Sequence, residues 1–386
     1  MYRITIIMVL LATATGAWGY TAVEHFDYPA GTIITNQAGG SGFTGVWSKD
    51  DDGSFVVTNL SLTYPGVDTA GNSAVLTPVV PSATASWTIF RSLQQGLSNG
   101  VYYIGCLSQK LGADERSRYF GVSLFTNGVE MALIGQGSTY ANWTVNRVVV
   151  PVDGGGTTNT LESNVSSTTR SYLLIKLEIN PDPDATETVT FWVNPDFSLI
   201  EAQNTPVGGT SFPTDRDFGI INRIRIGGGG YSDPFQPSPH LLDEILITTT
   251  SPFASPEADA DGDGMANLKE YLAGTDPTNS LSCLRVLSAA REGADVRVTW
   301  TTVGGKSYVV QTNSVPGTGF ADFSPVIDMP GSGESVTNYV HTGAATNAPA
   351  LFYRVRLETG APSSPASKSE TTVSPRSLRH PARSRR

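Results

Sequence analysis

From residue 20 to about residue 251 the apolar residues come in short runs, often on alternate positions, broken by turn-forming residues. The clearest early runs are 101–106, 119–125 and 129–134, and Asn127-Gly128 between the last two is a strong type I′ hairpin turn. Runs 172–179 and 188–193 predict a second hairpin, joined by a loop that contains Asn180, Asp182 and Asp184. Runs 220–226 and 242–248 add two strands, separated by a loop that begins at the glycines 227–230. Many short strands without helical periodicity predict a sandwich or jelly roll.

The pattern changes after the Pro252–Pro256 segment. Leu268, Tyr271 and Leu272 fall at i, i+3 and i+4 and predict the apolar face of a short helix, which Gly274 caps and Asp276-Pro277 ends. Beyond it alternation returns at Val296, Val298 and Trp300, at 308–310, and at Tyr353, Val355 and Leu357. A second, smaller sandwich of immunoglobulin or fibronectin type is expected over 282–358. Residues 359–386 are rich in Ser and Pro and then basic, which predicts a disordered tail.

Composition fits this picture. Charged residues make up only 16 % of the chain, with 40 Gly and 24 Pro among 386 residues. The formal charge of −10 hides an asymmetry. Of 25 basic and 35 acidic residues, Arg3, six tail cations and Glu370 lie at the ends, leaving 18 basic and 34 acidic residues in the body. An acidic body disfavours nucleic acid and suits cations. Arg3, an apolar run over 4–12, and Ala17 and Gly19 predict a secretory signal over 1–19, cleaved before Tyr20. No other stretch reaches transmembrane length, so the mature chain is expected to be exported and to lack a membrane span. The two cysteines, Cys106 and Cys283, fall in regions read as different domains, so this is no disulfide-stapled scaffold.

One stretch spells out chemistry. In 259–270, Asp259, Asp261 and Asp263 occupy positions 1, 3 and 5 of a twelve-residue calcium loop, and Gly264 supplies the turn at position 6. Met265 offers a backbone carbonyl, Asn267 holds a water, and Glu270 closes the shell as a bidentate ligand. The chain has one such loop and only the outgoing helix, so the expected Ca2+ is structural rather than a sensor's signal.

Catalytic patterns are absent. No strand carries the paired carboxylates of a retaining glycanase: Glu178 stands alone, Glu187 precedes its strand, and the adjacent Asp243 and Glu244 should point to opposite faces as a polar rim plus one inward carboxylate. His25, His240, His341 and His380 are scattered, without metal-ligand spacing or a nucleophile elbow. The glycines 227–230 read as a flexible turn, since no helix follows to bind phosphate. Tyr140, Asn142 and Trp143 are the best sugar-binding candidates, an aromatic face and an amide side by side. Asp182 and Asp184 offer a weak second cation site or an exposed hairpin tip. Asn59, Asn142 and Asn164 begin glycosylation sequons.

Several of these residues also carry a resemblance. Residues 24–32, Glu-His-Phe-Asp-Tyr-Pro-Ala-Gly-Thr, and 39–47, Gly-Gly-Ser-Gly-Phe-Thr-Gly-Val-Trp, resemble the start of laminin-G-like, concanavalin-A-like domains of secreted bacterial proteins. Phe191-Trp-Val-Asn-Pro-Asp196 and Leu242-Asp-Glu-Ile-Leu-Ile247 resemble later strands of that group, and the resemblance implies a two-sheet jelly roll. The calcium loop with Gly274-Thr-Asp-Pro-Thr278 resembles thrombospondin-type-3 or dockerin-like repeats, although a dockerin duplicates its loop. Residues 298–300, 305–308 and 352–356 resemble the C-terminal module of secreted multimodular proteins. The expected order is therefore a signal peptide (1–19), a jelly roll (20–251), a calcium loop–helix linker (252–281), a sandwich module (282–358) and a basic tail (359–386). The expected function is a secreted or cell-surface module that binds a glycan or a protein. A carbohydrate-active hydrolase or lyase and a structural envelope protein are the alternatives.

Overall fold

The computed structural model describes residues 20–358 apart from 50–53, 68, 70–73, 78–85, 113–117, 153–155, 181, 183–186, 215–216, 231–238, 316–318 and 348–349. The expected signal segment, the basic tail and Asp184 lie outside the described residues. No helix among those described is long and apolar enough to cross a membrane. The chain divides into two compact units, Met1–Ala258 and Asp259–Arg386.

The first unit is all antiparallel β. Its strands run β1 (Tyr20–Glu24), β2 (Phe43–Lys49), β3 (Ser54–Val57), β4 (Ala74–Thr77), β5 (Ser86–Leu97), β6 (Gly100–Lys110), β7 (Arg118–Thr126) and β8 (Val129–Gln136). They continue with β9 (Asn142–Val152), β10 (Gly156–Ser166), β11 (Ser171–Ile179), β12 (Glu187–Val193), β13 (Phe212–Thr214), β14 (Ile221–Gly230) and β15 (His240–Thr248). One eight-stranded sheet has the order β13-β12-β11-β6-β15-β4-β3, with β1 also paired to β15. The other sheet has seven strands in the order β10-β9-β8-β7-β14-β5-β2. Their inner faces share one core. Ile104, Leu173, Ile175, Phe191 and Ile247 come from the first sheet, and Ile89, Val122, Ile134, Trp143 and Ile224 from the second. This is a concanavalin-A-like jelly-roll sandwich. The hairpin at Asn127-Gly128 is present, with positive φ at both central residues as a type I′ turn requires.

The opening motif is explained by one buried carboxylate. Glu24 accepts from Phe26 N (3.1 Å), Tyr28 Oη (3.2 Å), Trp47 Nε1 (3.0 Å) and Arg91 Nη1 (3.1 Å). Gly39 donates its N–H to Tyr28 Oη at 2.7 Å, and its carbonyl accepts from Arg91. A buried charge is tolerated only when paired and fully bonded, and this cluster meets both conditions while tying β1, β2 and β5 together. Of the opening motifs, Glu24, Phe26, Tyr28 and Trp47 are thus interior structure.

Two strand expectations need correction. The glycines 227–230 form no turn: they are the second half of β14 and pair with β5 and β7. Asp243 and Glu244 are not a rim pair, because both are buried. The register of β15 against β6 slips between Asp243 and Leu246, so Leu242 and Ile245 both reach the core and Glu244 sits at φ +51°. Asp243 then accepts the Leu62 N–H at 3.0 Å, and Glu244 Oε2 lies 2.5 Å from His25 Nδ1.

The second unit is an immunoglobulin/fibronectin-like sandwich preceded by the short helix α1 (Asn267–Ala273). Its strands are β16 (Val286–Glu292), β17 (Asp295–Val303), β18 (Ser307–Asn313), β19 (Ala321–Asp322), β20 (Ile327–Asp328), β21 (Glu334–His341) and β22 (Phe352–Glu358). β16-β17-β21 form one sheet, and β18 with β19, β20 and β22 forms the other. Val298, Trp300, Tyr308 and Val310 make the core between them. Both cysteines are free and buried, and burial pushes the Cys106 thiol up to about 12.

Candidate functional site

The acidic loop of the second unit adopts a ligand-ready form. Asp259 Oδ1 accepts from Gly262 N (2.8 Å) and Asp263 N (3.2 Å), and its Oδ2 accepts from Gly264 N (2.8 Å). Asp261 Oδ1 accepts from Asp263 N at 3.2 Å, and Asp263 Oδ1 from Met265 N at 2.8 Å. Gly264 turns the chain at φ +94°, where a side chain would be strained. The ligand atoms of Asp259, Asp261 and Asp263 lie within 4.8 Å of one another, a cluster that could hold a metal ion.

The helix behind the loop is turned differently from expectation. Leu268, Tyr271 and Leu272 are exposed, while Asn267, Glu270 and Ala273 form the buried face. The i, i+3 apolar pattern therefore marked the wrong side, because the helix turns Asn267 and Glu270 inward. Asn267 Oδ1 accepts the Ala260 N–H at 3.2 Å, closing the loop on itself. Glu270 is 0 % exposed, and its Oε2, Asp261 Oδ2 and Asp263 Oδ2 are buried without a hydrogen-bond donor. Burial, then the charges of Asp261 and Asp263, push the Glu270 carboxyl up to about 7. Three donorless carboxylate oxygens from one loop fit a hard divalent cation, which would coordinate what nothing in the protein bonds. Gly274 ends the helix with its N–H on Glu270 O, and Lys306 Nζ donates to Leu272 O at 2.7 Å, fastening the helix to the sandwich of the same unit.

In the first unit the outer face of the seven-stranded sheet carries a polar cavity. Its volume is about 230 Å3 and its lining is Tyr119, Glu130, Leu133, Ser138, Asn146, Arg147 and Arg225. Alternation places it: Val122 and Leu124 of β7, Ile134 of β8, Val145 of β9 and Ile224 and Ile226 of β14 point into the core, so their neighbours point out. Gly121 and Gly227 pair across β7 and β14, leaving the sheet low there. A Cβ on Gly121 would stand 2.1 Å from Ile134 O, so no larger residue is accommodated.

Glu130 is clamped by two guanidiniums, Arg225 Nη2 at 2.6 Å and Arg147 Nε at 2.9 Å. Arg147 reaches it from a backbone at φ +71°, a conformation that costs a non-glycine residue roughly 1–2 kcal/mol. Such strain persists where the side chain has a task. Asn146 Oδ1 and Arg225 Nε are buried with no hydrogen-bond partner.

The expected sugar site lies beside this cavity, and one member is corrected. Trp143 is 0 % exposed, inside the core, with Nε1 donating to Thr169 O at 3.2 Å, so neither ring face meets a ligand. Asn142 Nδ2 donates to Glu162 Oε1 at 3.0 Å, and Tyr140 stands next to Gly137 and Asn146 at the cavity's margin. Asn59 and Asn164 lie elsewhere in the first unit, Asp182 is exposed, and its carboxylate partner Asp184 is outside the described residues. Sequence reasoning missed Asn146, Arg147 and Arg225, whose one local signal was outward polar residues among inward apolar ones.

The described histidines, His25, His240 and His341, serve structure, and His380 lies outside the described residues. His240 stacks on Phe120 and meets Gln136 at 3.0 Å, and His341 stacks on Phe323 and meets Tyr353 Oη at 3.0 Å. His25 pairs with Glu244, and no hydroxyl or thiol bonds it among the described residues.

No protein-family model and no curated protein matches the chain. Among solved structures it is similar to an endo-β-1,4-glucuronan lyase from the fungus Trichoderma reesei, at 12 % identity and TM-score 0.38, over 57 % of this chain and 96 % of that one. A cellulose-induced protein, Cip1, gives 14 % and 0.33 over 54 % and 94 % of the two chains. A GH131 β-glucanase catalytic domain from Podospora anserina gives 11 % and 0.31 over 54 % and 86 %.

Proposed function

We propose that this chain is a secreted or cell-surface glycan-binding protein whose second unit is stabilised by structural Ca2+. The observation that carries the binding reading is the cavity on the seven-stranded sheet. It is concave, polar, and lined by a tyrosine ring, an amide and guanidiniums, the groups that stack on sugars and bond their hydroxyls. The calcium reading rests on Asp259, Asp261, Asp263, the backbone of Met265, Asn267 and Glu270, with the three donorless oxygens as its support. Export rests on the residue 1–19 pattern alone.

Binding is favoured over glycoside hydrolysis by the count of carboxylates. Retaining and inverting glycosidases both need two, and Glu130 is the one carboxylate among the described lining residues. Two guanidiniums occupy both oxygens of Glu130, Arg225 Nη2 on Oε1 and Arg147 Nε on Oε2, which leaves neither oxygen open to attack or protonate a substrate. An oligosaccharide array probed with the mature chain tests the reading. Capture of at least one saccharide class, lost in Asn146→Leu, is expected; an array left blank by the wild-type chain would sink it. Release of shortened or unsaturated sugar from the captured ligand would instead make the site an enzyme's.

A further inference from the structure

The cavity's charge carries further than its shape. Around it the described residues set three guanidiniums, of Arg147, Arg223 and Arg225, against the single carboxylate of Glu130, on a chain whose formal charge is −10. Arg223 lies between the rings of Phe90 (4.6 Å) and Phe125 (4.7 Å), and Arg225 lies 4.7 Å from the Phe125 ring on the same face. Stacking occupies the flat faces of a guanidinium and leaves its N–H edges pointing sideways, the geometry that meets carboxylate or sulfate oxygens in plane. Arg225 already uses Nη2 on Glu130 and Ser123, while its buried Nε has no partner.

We infer that the glycan is anionic, a uronate- or sulfate-bearing polysaccharide laid across the strands of the seven-stranded sheet, with Arg225 and Arg147 reading its charge. This rests on the binding reading above and names its ligand class. The arginines lie on β14 and β9, three strand spacings, or about 14 Å, apart, room for more than one sugar unit. A purely structural ladder would balance its charges. Among the described residues one carboxylate faces three cations, and the buried Nε of Arg225, which has no partner, is the donor that a ligand oxygen would meet. A polymer also matches an open sheet face better than a closed pocket would.

The test is calorimetric titration of the mature chain with four probes of matched length: uronate oligosaccharides, sulfated oligosaccharides, neutral oligosaccharides and poly-glutamate. Short uronates are used in calcium-free buffer so that the probe itself does not gel. The expected result is binding of one anionic saccharide class at least about 10-fold tighter than the neutral one, weakening with added salt. Whichever of the two binds identifies carboxylate or sulfate as the group read. Arg225→Gln and Arg147→Gln should each weaken that binding about 10-fold or more, and Arg147→Lys less than Arg147→Gln. Arg147 is largely exposed, so its variants keep the test valid if Arg225→Gln disturbs the stack on Phe125. Neutral saccharides binding as tightly as anionic ones, with no effect of either arginine, would overturn the charge inference and leave glycan binding standing. Poly-glutamate binding equally well with the same arginine dependence would overturn it in favour of an acidic polypeptide. No saccharide binding at all would overturn the binding reading itself.

Discussion

On the outer face of the eight-stranded sheet, Tyr103, Leu107, Tyr172, Leu174 and Trp192 are buried, packed with Leu62, Phe197 and Phe253. On the outer face of the seven-stranded sheet, Phe90, Ser123, Glu130, Asn146, Arg223 and Arg225 stand in the corresponding outward positions, with a cavity among them. Both sheets use the same alternation, yet one outer face is closed with aromatic rings and the other is left polar. Closing a face contributes stability. Leaving one polar contributes little and keeps surface for a ligand.

The largest effect should follow from opening the closed face. Trp192 is 3 % exposed, packs edge-on to Phe253 at 5.2 Å, and donates Nε1 to Asn204 O at 2.9 Å. Trp192→Ala is expected to cost about 3–5 kcal/mol in denaturant unfolding of the first unit, whereas Asn146→Ala should cost under about 1 kcal/mol. Equal losses at the two positions would abolish the distinction between the faces.

The interior between the sheets sets a second contrast, between a carboxylate that is answered and one that is not. Glu24 has four donors. Glu187 at the start of β12 is also buried, but it is met only by backbone N–H groups, of Phe218 at 3.4 Å and of Asn180, and among the described residues nothing reaches its Oε2. Burial pushes Glu187 up from 4.5 to about 7. Between those values the unfolded chain has lost its proton and the folded chain keeps it, so stability falls as pH rises through that window and levels off above it. Glu187→Gln should remove that slope and be more stable than wild type at pH above about 7, by at most about 3 kcal/mol. Parallel stability–pH curves for the two proteins would show that Glu187 ionises freely.

In the second unit the unanswered oxygens belong to the loop at 259–270, and there an ion rather than a residue is expected to close the gap. Calcium at a hundredfold excess over its dissociation constant should add about 2.7 kcal/mol to the unfolding free energy of this unit. Glu270→Gln should lose most of that gain. Identical melting curves in chelator and in millimolar calcium would leave the loop without a cation.

How far each feature could be read beforehand follows from how local it is. The clustering of Asp259, Asp261 and Asp263 was legible because they lie within five residues and their spacing is the geometry. The face of α1 was not, since the polar Asn267 and Glu270 turn inward and leave Leu268, Tyr271 and Leu272 outside, against the apolar rule. The strands and the hairpin at Asn127-Gly128 followed from alternation and turn chemistry. Glycines 227–230 were misread because glycine usually breaks a strand, whereas here it lets β14 lie flat against Gly121 of β7. Trp143 was misread for want of one residue of phase: β9 turns it inward and Asn146 outward. The cavity joins side chains of β7, β8, β9 and β14, spread over more than a hundred positions, and no spacing rule links them.

The smallest predicted effect bears most directly on the open face. Arg147 holds a left-handed backbone at φ +71° while 61 % of its side chain is exposed, and its pair with Glu130 is the kind of surface contact worth under about 1 kcal/mol. A fold optimised only for stability would put glycine there. Arg147→Gly is therefore expected to raise the stability of the unliganded chain by about 0.5–1 kcal/mol, since the relieved strain exceeds the lost ion pair and outweighs glycine's greater freedom when unfolded. The same substitution should weaken binding of an anionic saccharide. A gain in stability bought with a loss of ligand is the signature of strain kept for function. A loss of stability would instead make Arg147 part of the scaffold, and the two outer faces would then differ in composition but not in purpose.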